Sequence, residues 1–570
     1  MGTNQRIHHP SLLLAAVALL GSCSEPEQAS RGTSEPGPAS PAWFEECSQQ
    51  SGLTFQHVSG HVEAFVTPEI LGSGAALFDM DGDGDLDAYL VQSGHWSLKP
   101  GAPEHVTGNE LYANRGDGTF ENVTAGSGAD HKGYGMGVAL GDFDSDGDED
   151  LYVTNLNANA LLRNDGGGRF TDVTDSAGVG GRLWSVGAAF LDYDGDGDQD
   201  LFVANYIYWD EDSEMECRIP PQGTTYCSPN SFAAPTPDTL YRNDGDGTFT
   251  DVSEAAGLRK ALGNGLGVLC ADFNGDGKQE VFVANDGTAN HLWEISPHGE
   301  WREKGMLTGC AVDGQGRAKA GMGVAAADLD FDGDEDLLVV NFSGENDSLY
   351  RNDGDRFSDR TLRSGLAHLS RKRTRFGVVL RDFDHDGYVD IYQANGHVTH
   401  PLESPTPNPF ADENHLLRGL PEMRFEAVTP SGGVAAALIA TSRACAFGDI
   451  DGDGDLDLLV HNKDSGAHLL RNVAPKQGHW ILVQLLDQNG SQATGATFQA
   501  SAGDRVLRRQ VRTAESYGAA SDPRLHFGLG QITRLINVQV TWTDGKSESF
   551  SSLDADSMHT LKRGAGTPLD

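Results

Sequence analysis

Seven nine-residue stretches hold the residues of this chain best spaced for chemistry, each of the form D-x-[DN]-x-D-G-x-x-[DE], starting 50 to 80 residues apart. Positions 1, 3, 5, 7 and 9 are Asp79, Asp81, Asp83, Asp85 and Asp87 in the first, and Asp142, Asp144, Asp146, Asp148 and Asp150 in the second. The third has Asp192, Asp194, Asp196, Asp198 and Asp200, and the fourth has Asp272, Asn274, Asp276, Lys278 and Glu280. The fifth has Asp328, Asp330, Asp332, Asp334 and Asp336, the sixth Asp382, Asp384, Asp386, Tyr388 and Asp390, and the seventh Asp449, Asp451, Asp453, Asp455 and Asp457. Carboxylates at alternate positions converge when glycine at position 6 permits a sharp turn; position 7 offers a backbone carbonyl and position 9 a closing carboxylate. Without a cation these like charges oppose folding. The expected cofactor is therefore calcium, six or seven ions. The strongest sites are expected at Asp142 and Asp328, each with six carboxylates in its window, and the weakest at Asp272, where Asn274 and Lys278 intrude.

These loops are not EF-hands. Position 12 would have to be Glu and is Leu90 in the first loop and Val153 in the second. The segments that follow, such as LDAYLV and EDLYVTN, are apolar and rich in β-branched and aromatic residues, so they are strands. Strands rich in small residues (GSGAALF, YGMGVALG, AGMGVAAA) precede the loops, which suits crowding near an axis. A second repeat follows each unit: LYANRGDGTFENVT (111–124), LLRNDGGGRFTDVT (161–174), LYRNDGDGTFTDVS (240–253) and LYRNDGDRFSDRT (349–361) read as hairpins. The copies at 292–301 and 416–428 are degenerate. The seventh, LLRN at 469–472, lacks its returning strand, and a matching one stands at Phe44-Glu45-Glu46-Cys47. Four strands per unit, seven units and an N-terminal strand that closes the last predict an all-β fold: a seven-bladed β-propeller with calcium-binding loops over 42–474. A small all-β C-terminal domain follows at 475–563, then a flexible tail at 564–570.

These repeats resemble the FG-GAP/VCBS type of integrin α-subunit propellers. The tail resembles the ASPIC/UnbV domain through Gly495-Ala496, HFGLG (526–530) and the Val540, Trp542, Gly545 strand. The combined order resembles proteins of the cartilage-acidic-protein type. Within the tail, HFGLG is expected to be a tight glycine turn beside a packed aromatic. Arg115-Gly116-Asp117 occupies the turn that reads NDGDG at Asn243–Gly247, so it is read as a turn rather than as an integrin ligand.

Charge and composition bound the function. Lys+Arg total 41 against Asp+Glu 84, a net charge of -43, which repels nucleic acid and excludes it as a partner. Arg6, His8 and His9 precede an apolar run, Leu12–Leu20, too short to span a bilayer. The run ends in LGSC, which resembles a lipobox: a signal peptide at 1–22, lipidation at Cys23 and a disordered tether over 23–41. Ser24 resembles an outer-membrane retention signal, so an exported outer-membrane lipoprotein is expected, periplasmic or surface-facing. Export permits disulfides, and Cys217 and Cys227, in one long loop, are the pair expected. Cys270 and Cys445 lie in strand patterns and are expected as buried thiols.

No GxSxG elbow, HExxH, P-loop or CxxC occurs, and His397 with His400 is read as a surface blade loop. The longest insertion, 205–239, is aromatic and acidic, and its Tyr206, Tyr208, Trp209 and Tyr226 are candidates to stack on a sugar or grip a protein; the other reading is a cap over blade edges. The functional expectation is a calcium-stabilised, lipid-anchored envelope recognition module binding a glycan or a surface or extracellular protein. A calcium-dependent enzyme with its site on the propeller face and a purely structural envelope component remain as alternatives.

Overall fold

The computed structural model describes residues 41–569, apart from 62–64, 96–106, 222, 297–298, 355 and 400–406. The segment expected as a signal peptide, Cys23, nearly all of the expected tether and His400 lie outside the described residues.

Seven sheets are each built on four antiparallel strands. In the second, Gly135–Gly141, Asp150–Asn155, Ala160–Asn164 and Phe170–Asp172 follow one another outward, with Leu140 opposite Leu151, Tyr152 opposite Leu161 and Leu162 opposite Asp172. The innermost strands touch in chain order, and the last, Ser442–Gly448, returns to the first, Ala75–Phe78. That closed succession is a β-propeller. The ring closes as the repeat pattern requires: Phe44–Glu46 becomes the outer strand of the last blade, Phe44 opposite Asn472 and Glu46 opposite Leu470. Inner and second strands are buried on both faces, because each blade packs its apolar residues against the next, as Tyr152 and Leu161 do against Phe190 and Val203.

The C-terminal domain is two sheets around Phe498, Phe527, Leu535, Val540 and Trp542. Residues 513–521 leave it and enter the propeller axis. Ala519 and Ala520 add in parallel to Ala75 and Ala76, and Ser516 exchanges backbone hydrogen bonds with Val324 at 3.0 and 2.7 Å. Tyr517, fully buried, donates its hydroxyl to the Leu71 carbonyl at 3.0 Å. The glycines of the inner strands let adjacent blades and this hairpin meet at the axis. A Cβ on Gly137 would lie 2.5 Å from the Val186 oxygen and 2.9 Å from the Gly518 Cα. The crowding at the axis is first between the inner strands of adjacent blades, as at Gly187, where a Cβ would lie 2.3 Å from the Leu266 oxygen, and then against the hairpin that fills the channel.

Two expectations about the tail are corrected. HFGLG is not a turn: Leu525–Gly530 is a strand paired with His479–Leu486, and Gly528 lets it press onto the sixth loop, where a Cβ would meet the Asp382 carboxylate. Nor is 564–569 a flexible tail, since Thr567–Leu569 pairs with Ser547–Ser549 and the Gly564 and Gly566 amides donate to the Glu548 carboxylate at 3.0 to 3.2 Å.

Candidate metal centres

Each acidic loop joins the innermost strand of its blade to the second, so all seven lie at one end of the propeller. The position-1 carboxylate is the hub of the turn. Asp79 accepts the amides of Gly82 at 2.8 Å, Asp83 at 3.2 Å and Gly84 at 2.9 Å, which wraps the loop around one side chain. Gly84 has φ 95°, a conformation that glycine adopts without strain.

Two oxygens bound to one calcium at about 2.4 Å each are at most about 4.8 Å apart. Ligand oxygens of Asp79, Asp81 and Asp87 meet that limit, each pair within 4.8 Å. So do Asp192, Asp194 and Asp200, and Asp382, Asp384 and Asp390, all at positions 1, 3 and 9. In the second and fifth loops the cluster is at positions 1, 3 and 5: Asp142, Asp144, Asp146 and Asp328, Asp330, Asp332. Buried carboxylate oxygens of Asp328, Asp330, Asp382 and Asp451 have no hydrogen-bond partner. An orphaned buried oxygen is costly unless something satisfies it, and a hard divalent cation fits that need.

Position 9 does a second job. Asp87 accepts the Met80 amide at 2.9 Å and the Asn114 amide, from the third strand of its blade, at 2.8 Å. The same two-ended tie recurs at Asp150, Asp200, Asp336, Asp390 and Asp457. A carboxylate has about four lone-pair sites, so both oxygens keep capacity for an ion. Burial pushes these groups up against the pull of those amides: Asp87 to about 7, Asp200 to about 8 and Glu280 to about 9. Asp192 and Asp449, at position 1, rise to about 6 through burial, with neighbouring loop carboxylates adding to the effect.

The fourth loop differs as its composition foretells. Asn274 donates to Glu280 at 2.8 Å, Arg508 of the C-terminal domain reaches Asp272 at 3.2 Å, and the Lys278 side chain supplies no ligand oxygen. In the later loops cationic side chains also lie against the carboxylates. Arg351 pairs with Asp330 and Asp332, Arg418 with Asp384 and Asp386, and Lys476 with Asp455. Tyr388 has only a backbone carbonyl to offer, because its hydroxyl accepts from Arg505 at 2.7 Å. Asp83, Asp85, Asp148, Asp196, Asp198, Asp276, Asp334 and Asp453 stand on the outer turns, where Asp83, Asp196, Asp276 and Asp453 accept the amide two residues on.

The ligand role expected of the 205–239 insertion is corrected for two of its four aromatics. Tyr206 is 2% exposed and donates to Asp286 at 2.8 Å; Tyr226 is 6% exposed and donates to Glu69 at 2.9 Å. Both join Trp184, Phe376 and Tyr517 in an apolar cluster at the channel end opposite the loops. Trp209 packs half-buried against it and donates to Glu214 at 2.9 Å, while Tyr208 stays 53% exposed. Burial wins because the rings close the channel. Glu214 also accepts from Thr67 at 2.9 and 3.0 Å, pulling the insertion across towards the first blade. Cys217 and Cys227 form a disulfide, while Cys47, Cys270, Cys310 and Cys445 are free and buried. His397 is a half-buried residue facing Asp412 at 3.4 Å.

One set of residues escaped sequence reasoning. The asparagine that ends the third strand bridges to the preceding blade: Asn114 donates to the Ile450 carbonyl at 2.8 Å, Asn164 to Met80 at 2.9 Å and Asn243 to Phe143 at 2.8 Å. Asn352 and Asn472 do the same to Phe273 and Phe383. Every accepting carbonyl is position 2 of a neighbouring acidic loop. The signal was the shared Asn of LYRN and LLRN, which the two degenerate hairpins replace with Ile295 and Gly419.

The FG-GAP-like repeat family matches residues 79–153, 142–203, 231–283, 272–339 and 328–392, and the ASPIC and UnbV family matches 486–568. Cartilage acidic protein 1 of Homo sapiens is 26% identical over 322 residues, 55% of this chain and 38% of the relative; that of Xenopus tropicalis is 26% identical over 316 residues, 54% and 38%. The chain thus spans well under half the length of the curated relatives it matches. Among solved structures, an Agrocybe aegerita lectin described as recognising non-reducing terminal N-acetylglucosamine is 16% identical over 69% of this chain and 86% of that one, with a TM-score of 0.37. YCF48 bound to D1 peptide is 12% identical over 77% and 100%, with a TM-score of 0.39. On its repeats and its C-terminal domain, the chain belongs to the FG-GAP-like repeat proteins and carries an ASPIC and UnbV domain.

Proposed function

We propose that this chain is a calcium-stabilised recognition module, held at the outer membrane by a lipid on Cys23, that binds a glycan or a protein partner through its outer surface. The observation that carries the recognition reading is that the axis is filled. The 513–521 hairpin occupies the channel from the loop end, and the aromatic cluster around Tyr206, Tyr226 and Tyr517 fills the other. A filled axis supports recognition at the surface over a substrate chamber in the channel. The calcium reading is supported by the converging carboxylates and their orphaned oxygens. Bound to the native state alone, each ion stabilises it by about 2.7 kcal/mol at a hundredfold excess over its Kd.

The test compares thermal unfolding in millimolar calcium with unfolding in excess chelator, counts ions by native mass spectrometry, and screens glycan and surface-protein arrays in both conditions. Several bound ions, a melting temperature lowered by chelator and a calcium-dependent binder are expected. An unmoved melting temperature or two or fewer ions would refute structural calcium, and an array without a binder would refute recognition. Cys23→Ser should move the chain from the membrane to the soluble fraction; a variant that stays membrane-bound would remove the anchor from the proposal.

A further inference from the structure

A chain with a net charge of -43 carries a cleft walled by arginines. It lies where the fifth and sixth blades meet, beside the C-terminal domain, with a volume of about 520 Å³. The Phe425 amide donates to the Ser364 carbonyl at 3.0 Å, which fixes the segment carrying Arg360 and Arg363 against the strand that begins at Arg424. Arg505 enters from the C-terminal domain, its guanidinium 4.1 Å above the Phe331 ring and 4.6 Å above the Tyr388 ring. Arg351, the fifth arginine of the lining, is already committed to Asp330 and Asp332. Arg360, Arg363 and Arg424 form no ion pair among the described residues, and the Arg360 Nε is buried without a hydrogen-bond partner. Three non-glycine residues of the same lining hold left-handed backbone: Phe331 at φ 64°, Glu422 at φ 65° and Met423 at φ 56°. The position of Phe331 is left-handed in every acidic loop, glycine in four and Ser145 and His385 in two, so its backbone belongs to the turn, whereas the left-handed Glu422 and Met423 are outside any such loop. Strain of this kind persists where the surroundings impose it, and it clusters at functional sites.

We propose that this cleft binds an anionic saccharide, with its carboxylate or sulfate paired to Arg360, Arg363 and Arg424. Guanidinium forks match both oxyanions in a two-point geometry. Glu422 lines the same space, so the occupant must also bring hydroxyl donors, as a sugar acid does. The volume suits a ligand of about two rings, within the roughly 300–1,000 Å³ of small-molecule sites. The net negative charge repels anions in general, so an anion is selected only where local arginines outweigh it. The inference refines the recognition reading above and rests on it.

The test titrates the full chain, in calcium, with a glucuronic-acid disaccharide, its neutral methyl ester, a monosulfated disaccharide and a hexaglutamate peptide. Two variants accompany the wild type: Arg360→Gln with Arg424→Gln, and Arg363→Gln with Arg424→Gln, the latter pair both exposed. Binding of the carboxylate or the sulfate sugar, none of the methyl ester, and about tenfold or more weakening in either variant with unchanged melting are expected. Which acidic sugar binds assigns the oxyanion. Equal affinity in the variants, tighter binding of hexaglutamate, or no binding of either acidic sugar overturns the proposal. Running the variants on the same arrays separates the two readings: ligands kept at full strength overturn this site alone, while a wild type without any binder overturns recognition itself.

Discussion

Asn164→Ala tests whether the loop ring is held by the hairpin asparagines. The side chain is fully buried. Its amide donates to the Met80 carbonyl of the first loop at 2.9 Å and to the Glu149 carbonyl of the second at 3.3 Å, and its oxygen accepts the Gly166 amide at 3.0 Å. A net hydrogen bond contributes about 1 kcal/mol, and a buried group left unpaired costs about 1–3 kcal/mol. Three bonds lost, with Gly166 close enough to the surface to find water, give a cost of about 3 kcal/mol. Asn164→Asp keeps the acceptor but turns a negative oxygen towards two carbonyls, so it should cost at least as much. The assay is urea unfolding in calcium: the midpoint should fall with an unchanged slope. The control is Asn122→Ala, at an exposed site, expected within about 0.5 kcal/mol of wild type. If Asn164→Ala matched that control, the bridge would be a geometric coincidence that holds nothing together.

Acid should unseat a second buried set. Burial holds His57 neutral, its pKa lowered to about 3, with the Asp464 amide donating to Nδ1 at 3.1 Å; Asp464, Lys463, Arg443 and His461 surround it. The unfolded chain binds a proton below about pH 6.5 that the folded chain refuses, so this stabilisation is complete above 6.5 and is lost as pH falls towards 3. The loss is about 1.4 kcal/mol per pH unit. His57→Gln should flatten the stability profile over that window by this slope, measured in calcium; parallel profiles would contradict it. Tyr517→Ala removes a ring set 5.0 Å from Phe376 and the hydroxyl bond to Leu71, at about 3–5 kcal/mol by unfolding midpoint. A cost under about 1 kcal/mol would mean that the hairpin does not need its tip.

What the sequence made legible was periodic. Seven acidic loops, the apolar strands after them and the stray strand at Phe44 fix a closed ring, because each repeat tests the others. The axial hairpin was hidden in YGAAS, five mostly small residues that look like any loop. The small residues of the inner strands were legible as crowding near an axis, and adjacent blades do meet there, but the hairpin inserted among them is a long-range contact that periodicity does not carry. Tyr206 and Tyr226 misled for the same reason. Aromatic residues in a long insertion suit a ligand platform, and only the fold brings Asp286 and Glu69, 80 and 157 residues away, to their hydroxyls. The arginine cleft was equally invisible, since its walls come from the segments around 331, 360, 424 and 505.

The fourth loop shows how the C-terminal domain and the acidic ring depend on each other. It is the loop poorest in carboxylates, and the domain holds it at three points: Arg508 reaches Asp272 at 3.2 Å, Gln510 accepts the Asp272 amide at 3.1 Å, and Gln279 donates to Gln510 at 3.3 Å. A guanidinium thus places positive charge on the hub of the turn, where Asn274 and Lys278 weaken the attraction for an ion. The neighbouring blade repeats the contact with opposite chemistry, since Glu335 of the fifth loop is buried and paired with Arg512. Farther round, His526 meets the Gly454 carbonyl at 3.0 Å and Arg505 meets that of Gly387 at 3.0 Å. The domain therefore reads the loops through their backbone and their position-8 side chains while leaving most carboxylates free. A loop that collapsed under its own repulsion would withdraw these contacts together, so whatever neutralises the carboxylates also seats the domain and keeps its hairpin in the axis.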